Sequence, residues 1–214
     1  MITTSRIVSL SFLFIGVFLL AQVILPIISF KFLEIGQKYS HTALISPFGK
    51  RDSDVLGISV KTDDSFSYFV SSALRASQPT YDSFNISIPD LRIDHAKVLV
   101  DSNDISRTLA HLPGSALPGE KGNVFISGHS AVTPILSFQN ALFAKLPDAK
   151  KGDQVIIEAG GTKFTYQIID KKVVDPSDTA VISPLDPMGR YISLMTCVPP
   201  GLNYKRLVVI GKII

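Results

Sequence analysis

The stretch QVIIEAGGTKFTYQIID, residues 154–170, decides the fold class. Its halves, QVIIEA (154–159) and KFTYQIID (163–170), are short β-type runs, and Gly160 and Gly161 join them as a hairpin because glycine accepts the positive φ such turns require. Comparable runs recur on both sides: ISIP (86–89), KVLV (97–100), NVFISG (123–128), KVVD (172–175), RYISLMT (190–196) and KRLVVIGKII (205–214). Eight such runs separated by turn residues predict an all-β barrel or sandwich. One helix interrupts the series, with Thr133 as N-cap, Pro134 at the first helical position, and Ile135, Phe138, Leu142 and Leu146 on one face.

Upstream the character of the chain changes. Of 214 residues, 46% are hydrophobic and 18% charged, and the apolar excess is concentrated in one place. Residues 7–30, IVSLSFLFIGVFLLAQVILPIISF, are 24 positions without a charge. At about 1.5 Å per residue they exceed a hydrocarbon layer of about 30 Å, with Pro26 kinking or ending the helix near its exit. A cleaved signal would have a shorter apolar stretch and a small-x-small site, and neither is present, so a single uncleaved transmembrane anchor is expected over 1–30. Residues 31–85, rich in Ser, Thr and Asp, read as a stalk with one short helix around 65–76, and residues 86–214 as the folded domain. A net charge of +3 with no Lys/Arg run gives no footing for nucleic acid.

The single cysteine excludes a disulfide framework and a multi-cysteine metal site. Cys197 ends the run RYISLMTC and precedes ValProProGly, which cannot continue a ladder, so the thiol is expected at a strand mouth. The chain then re-enters a strand that brings Arg206 alongside, and a guanidinium near a thiol favours thiolate. Of four histidines, His41 lies in the stalk, His95 in a turn and His111 in a loop before ProGly, each solvated or locally bonded. His129 instead leaves the apolar strand NVFISG through Gly128, a placement suited to proton transfer with a nucleophilic cysteine.

Together, VFISGHS (124–130), LMTC (194–197) with Cys197 68 positions after His129, and Arg206 nine positions further resemble the sortase family of cysteine transpeptidases. HLPGSALPGEKGN (111–123) and ISIPDLRIDHAKV (86–98) extend the resemblance over residues 86–214. It implies an eight-stranded closed sortase-type β-barrel with one or two short helices, lying outside a cell membrane and tethered by the N-terminal helix. It further implies that Cys197 attacks the Thr carbonyl of an LPXTG-like sorting signal, that His129 moves the proton, that Arg206 stabilises the oxyanion, and that Thr196 supports the oxyanion hole or the substrate backbone. The acceptor would be an amine from a cell-wall precursor or a pilin lysine, and no cofactor or metal is implied. SerProPhe (46–48) lacks the Asp of a class C lid, and the short turn after Cys197 looks more like class D or E. Asp175, Asp178 and Asp186 precede the Cys strand as scattered carboxylates that are usually solvated rather than calcium-binding. Two other readings stand beside this one: another Cys/His cell-wall peptidase or transpeptidase, and a non-catalytic membrane-tethered β-barrel binding module with a buried thiol.

Overall fold

The computed structural model describes residues 11–18, 20–21, 24, 28, 58–63, 66–71, 79–130, 141–200 and 204–214. The chain divides into two compact units, Met1–Ile45 and Ser46–Ile214. In the first, residues 11–18 are helical. Among the described residues no helix is long and apolar enough to cross a membrane. Residues 20–21, 24 and 28 are helical as well, and the other residues of the expected anchor, with the 46–48 tripeptide, lie outside the described residues.

The second unit contains an antiparallel hairpin of β1 (Ile58–Asp63) and β2 (Phe66–Ser71). This corrects the helix expected around 65–76. Phe66, Tyr68 and Val70 alternate with Ser67, Phe69 and Ser71, and a run dense in aromatic and β-branched residues suits a pleated ladder better than a helical turn.

The folded domain is a closed barrel of eight strands, as expected. They are β3 (Ser83–Ile88), β4 (Ile93–Leu99), β5 (Leu109–His111), β6 (Gly122–Ser127), β7 (Gln154–Ala159), β8 (Thr162–Val174), β9 (Arg190–Val198) and β10 (Lys205–Ile213). Around the barrel the order is β10-β8-β7-β3-β4-β5-β6-β9, closing through the β9–β10 pair. Gly160 and Gly161, at φ +55° and +78°, make the β7–β8 hairpin anticipated from their position. In β3 the Ser-Phe-Asn-Ile-Ser-Ile alternation puts Phe84, Ile86 and Ile88 inside, so the barrel begins at Ser83, three residues before the boundary at 86.

Three expectations fail in detail. The runs 163–170 and 172–175 form one 13-residue strand, β8, which passes a bulge opposite the Ile210/Gly211 step instead of turning. The eighth strand is β5, only three residues long and paired parallel to β4, in the segment read as the loop holding His111. The expected helix over 133–146 is not met at 141–146, where turns lead into a short 3-10 segment, Leu146–Asp148. Pro147 has no N–H to bond the carbonyl of residue 143, so an α-helical turn cannot continue there. Residues 131–140, with the proposed N-cap and Ile135 and Phe138, lie outside the described residues.

Strands β6 and β9 are buried along both faces, unlike β3 and β7. One face fills the barrel. On the other, Phe125, Tyr191, Met195, Val208 and Ile210 pack with Ile182, from the 3-10 segment Thr179–Ile182 in the β8–β9 connection. Asn123 ties that connection down by donating to the carbonyls of Val181 (3.3 Å) and Ile182 (2.9 Å).

Candidate active site

Strands β6 and β9 run parallel, with Gly122 opposite Arg190 and Ser127 opposite Met195, so both end at the same mouth of the barrel. β10 starts at that mouth, antiparallel to β9, with Arg206 directly opposite Cys197. Directly opposed residues of an antiparallel pair point to one face with Cβ atoms about 5 Å apart. Cys197 and Arg206 therefore share a face with Tyr191, Met195, Val208 and Ile210.

The β6–β9 contact outlasts the ladder. The Gly128 N–H donates to the Met195 carbonyl at 3.1 Å, and the Thr196 hydroxyl donates to the Gly128 carbonyl at 2.9 Å. The next residue on one strand is His129 and on the other Cys197, so both leave the barrel at the same mouth. Gly128 is required at this step: a Cβ there would meet Leu109 Cδ2 at 2.4 Å and Phe143 Cδ2 at 2.8 Å. The His129 carbonyl accepts from the Phe143 N–H at 3.2 Å, which holds the backbone beyond the glycine.

Burial dominates the electrostatics. Cys197 is 7% exposed and Arg206 1%. Burial pushes the Cys197 thiol up, and the Arg206 guanidinium offsets only part of that rise. Arg206 pulls toward thiolate, as expected, but desolvation outweighs that pull. Burial also lowers His129, against an opposing pull from the Asp104 carboxylate. Both shifts favour the neutral thiol and the neutral imidazole.

Thr196 lies near the end of β9, one residue before the thiol. Adjacent residues of a strand point to opposite faces, so its buried side chain faces away from the Cys197 side, and its hydroxyl hydrogen is engaged by Gly128. Through that bond it fixes the end of β6 beside the site.

His111 is no loop residue. It lies in β5 with no exposed surface, its Nε2 2.8 Å from Ser115 Oγ and 3.0 Å from the Ala116 carbonyl, while Nδ1 accepts from the Asp101 N–H at 3.3 Å. Its ring packs edge-on against Phe84. Truncating it leaves buried polar groups without partners, so His111→Ala is expected to destabilise the barrel by about 2–3 kcal/mol. Thermal melts, with peptide cleavage normalised to folded protein, check this. An unchanged melt would refute the anchoring role, and lost cleavage in fully folded protein would place His111 in the chemistry. His95 lies within β4 at positive φ, exposed, with Nδ1 2.6 Å from Asp94 Oδ1.

The carboxylates ahead of the Cys strand are engaged separately. Asp175 pairs with Lys205 at 2.7 Å, Asp178 caps the Thr179–Ile182 segment through the Ala180 N–H, and Asp186 accepts from the Tyr191 hydroxyl and the Met188 N–H. Among the described residues no group of three or more His, Cys, Asp or Glu is arranged to hold a metal ion.

The family model for the sortase domain matches residues 86–214, the barrel and every strand that bears the site. The chain belongs to the sortase family. Among curated relatives, Sortase D of Bacillus subtilis is 30% identical over 115 residues, covering 52% of this chain and 53% of the relative. Sortase SrtE1 of Streptomyces coelicolor is 28% identical over 108 residues, covering 47% of this chain and 29% of that one. This sortase thus spans about half the length, or less, of those two relatives. Among solved structures, a lid mutant of Sortase A from Corynebacterium diphtheriae superposes with a TM-score of 0.56 at 31% identity, over 65% of this chain and 73% of the other. Sortase C-1 from Actinomyces oris gives 0.56 at 26% identity, over 63% and 76%.

Sequence reasoning missed Asp104. It is exposed, on an irregular connection between β4 and β5, and carries no periodic or motif signal.

Proposed function

We propose that this sortase is a membrane-tethered, class D- or E-like cysteine transpeptidase that cleaves an LPXTG-like sorting signal and transfers the acyl group to an amine. The observation that carries the reading is the convergence of His129, Cys197 and Arg206, from three neighbouring strands, at one barrel mouth. The thiol proton passes to His129, and the Cys197 thiolate attacks the Thr carbonyl carbon. The buried Arg206 guanidinium faces the oxygen as it becomes an oxyanion, where a preorganised donor acts most strongly. The C–N bond then breaks, the leaving amine takes the proton from the imidazolium, and a thioester remains on Cys197. An incoming amine loses its proton to His129, attacks the thioester, and releases the thiolate. The acceptor is an amine of a cell-wall precursor or a pilin lysine.

Cleavage of LPXTG-type peptides by the full chain, with and without added amine, tests the activity. Amine-dependent ligated product is expected. No cleavage of any such peptide would end this reading, and cleavage indifferent to amine would leave a peptidase.

The direction of the two shifts sets the pH dependence. The reactive pair, thiolate with imidazolium, carries the same net charge as the resting neutral pair, so its share is constant between the two apparent pKa values. With His129 lowered and Cys197 raised, kcat/KM is expected to form a broad bell. Its acid limb lies below the usual histidine range and its alkaline limb above the usual thiol range. A narrow bell inside both ranges would contradict the burial described.

The uncharged 7–30 run is proposed as the anchor, placing the barrel outside the membrane. Exposed Phe12, Phe14 and Phe18 on helical residues 11–18 support it, being apolar surface of the kind a bilayer covers. Fractionation and protease shaving of intact spheroplasts test it. A barrel digested only after lysis would reverse the orientation, and a soluble product cleaved near Phe30 would remove the anchor.

A further inference from the structure

The β4–β5 connection brings a carboxylate to the histidine. β4 and β5 are parallel, with Val98 opposite Leu109 and Leu99 opposite Ala110, so residues 100–108 must cross back over the barrel wall before β5 starts. β5 starts beside the end of β6, because Ala110 is opposite Ser127 and Leu109 lies against Gly128. The crossing segment is therefore delivered to the point where His129 leaves the barrel.

Its shape is set by local hydrogen bonds. The Asp104 N–H donates to Ser102 Oγ at 3.0 Å, and Asp104 Oδ1 accepts from the Ser106 N–H at 2.9 Å. The Ser102 N–H donates to the His111 carbonyl at 3.0 Å, tying the turn to β5. Asp104 and His129 attract one another electrostatically. Asp104 from this connection is the charge that bears on the imidazole, Arg107 lies beside Asp104, and Arg206 from β10 bears on Cys197 of β9. Only Asp104 among these is an anion when the thiol is protonated.

We propose that Asp104 is a positioning residue for His129, its carboxylate supplying the negative charge against which the imidazolium forms while the proton travels from thiol to leaving amine. The proposal rests on His129 being the acid/base of the preceding section. Without Asp104 the nearby cations Arg107 and Arg206 would oppose an imidazolium. Asp104 instead favours it, raising the share of enzyme holding thiolate and imidazolium together.

Asp104→Asn is the discriminating change, since an amide oxygen still accepts from Ser106 and only the charge is lost. The first measurement is the titration of His129 by NMR, in full chain labelled with 13C-histidine and carrying Cys197→Ala so that thiol titration does not intrude. The signal is assigned by its loss in His129→Asn. Asp104→Asn is expected to lower the midpoint by about half a pH unit, as for an exposed pair, and 1 M salt to shrink the difference. With Cys197 present, the same change is expected to reduce kcat/KM for a sorting-signal peptide about threefold and to move the acid limb of the profile to lower pH. An unmoved midpoint overturns the proposal, and so does a moved midpoint with unchanged kcat/KM. If the wild-type chain cleaves no peptide the transpeptidase reading fails, whereas the NMR midpoint, which needs no activity, still decides whether Asp104 acts on His129.

Discussion

Cys197→Ala is expected to abolish the acyl-enzyme and all peptide cleavage while leaving the barrel folded. The chain holds no other thiol, so no second nucleophile can take over the thioester. The cost to stability is small because the change removes a single buried sulfur and leaves the β9 backbone untouched, about 1–2 kcal/mol. Mass spectrometry after incubation with a sorting-signal peptide reads the adduct directly: wild type gains the acyl fragment, and the variant gains nothing. Residual cleavage by Cys197→Ala would relocate the nucleophile and dismantle the proposed mechanism.

Arg206→Lys is expected to lose activity by about 100-fold or more with a nearly unchanged melting temperature. The guanidinium is almost wholly buried, opposite Cys197, and its Nη1 donates to the Lys205 carbonyl at 3.3 Å. A lysine retains much of the packing stem but replaces a planar fork of donors with a single point charge. Burial also drives an ammonium toward its neutral amine, whereas a guanidinium stays charged. Arg206→Ala should lose both activity and stability, by about 2–4 kcal/mol, because it empties a fully buried volume. Kinetics and melts of both variants separate the two effects. Full activity in Arg206→Lys would show that any cation suffices, and a collapsed melt in that variant would make Arg206 chiefly structural.

The barrel was legible wherever an element carried a period-two or continuous apolar run. β6, β7, β9 and β10 announce themselves this way, and Gly160 and Gly161 mark the tightest turn. β5 did not, because three residues hold no period and its partner β4 lies across a nine-residue connection. The break expected between residues 170 and 172 was false because a bulge, not a turn, absorbs the irregularity. At the site, His129, Cys197 and Arg206 were readable as residues with chemistry at the ends of apolar runs. The depth at which Cys197 and Arg206 sit was not, since it depends on what covers the outer face of β9 and β10. The direction in which Thr196 points follows from strand parity once β9 is placed. Asp104 was invisible because proximity delivered by a parallel crossover leaves no trace in local sequence.

The bond from Thr196 to Gly128 joins residues 68 positions apart. Closing so long a stretch of chain is entropically costly and slow compared with forming the β7–β8 hairpin. The thiol should therefore spend the early part of folding with the reactivity of an unstructured cysteine and acquire its shielded character only when β6, β9 and β10 meet. Pulsed alkylation during refolding would then read the closing step of the barrel through its one cysteine, with protection arriving after most secondary structure has formed. In a cell the same delay defines an interval in which the unfinished enzyme is more open to oxidation than the finished one.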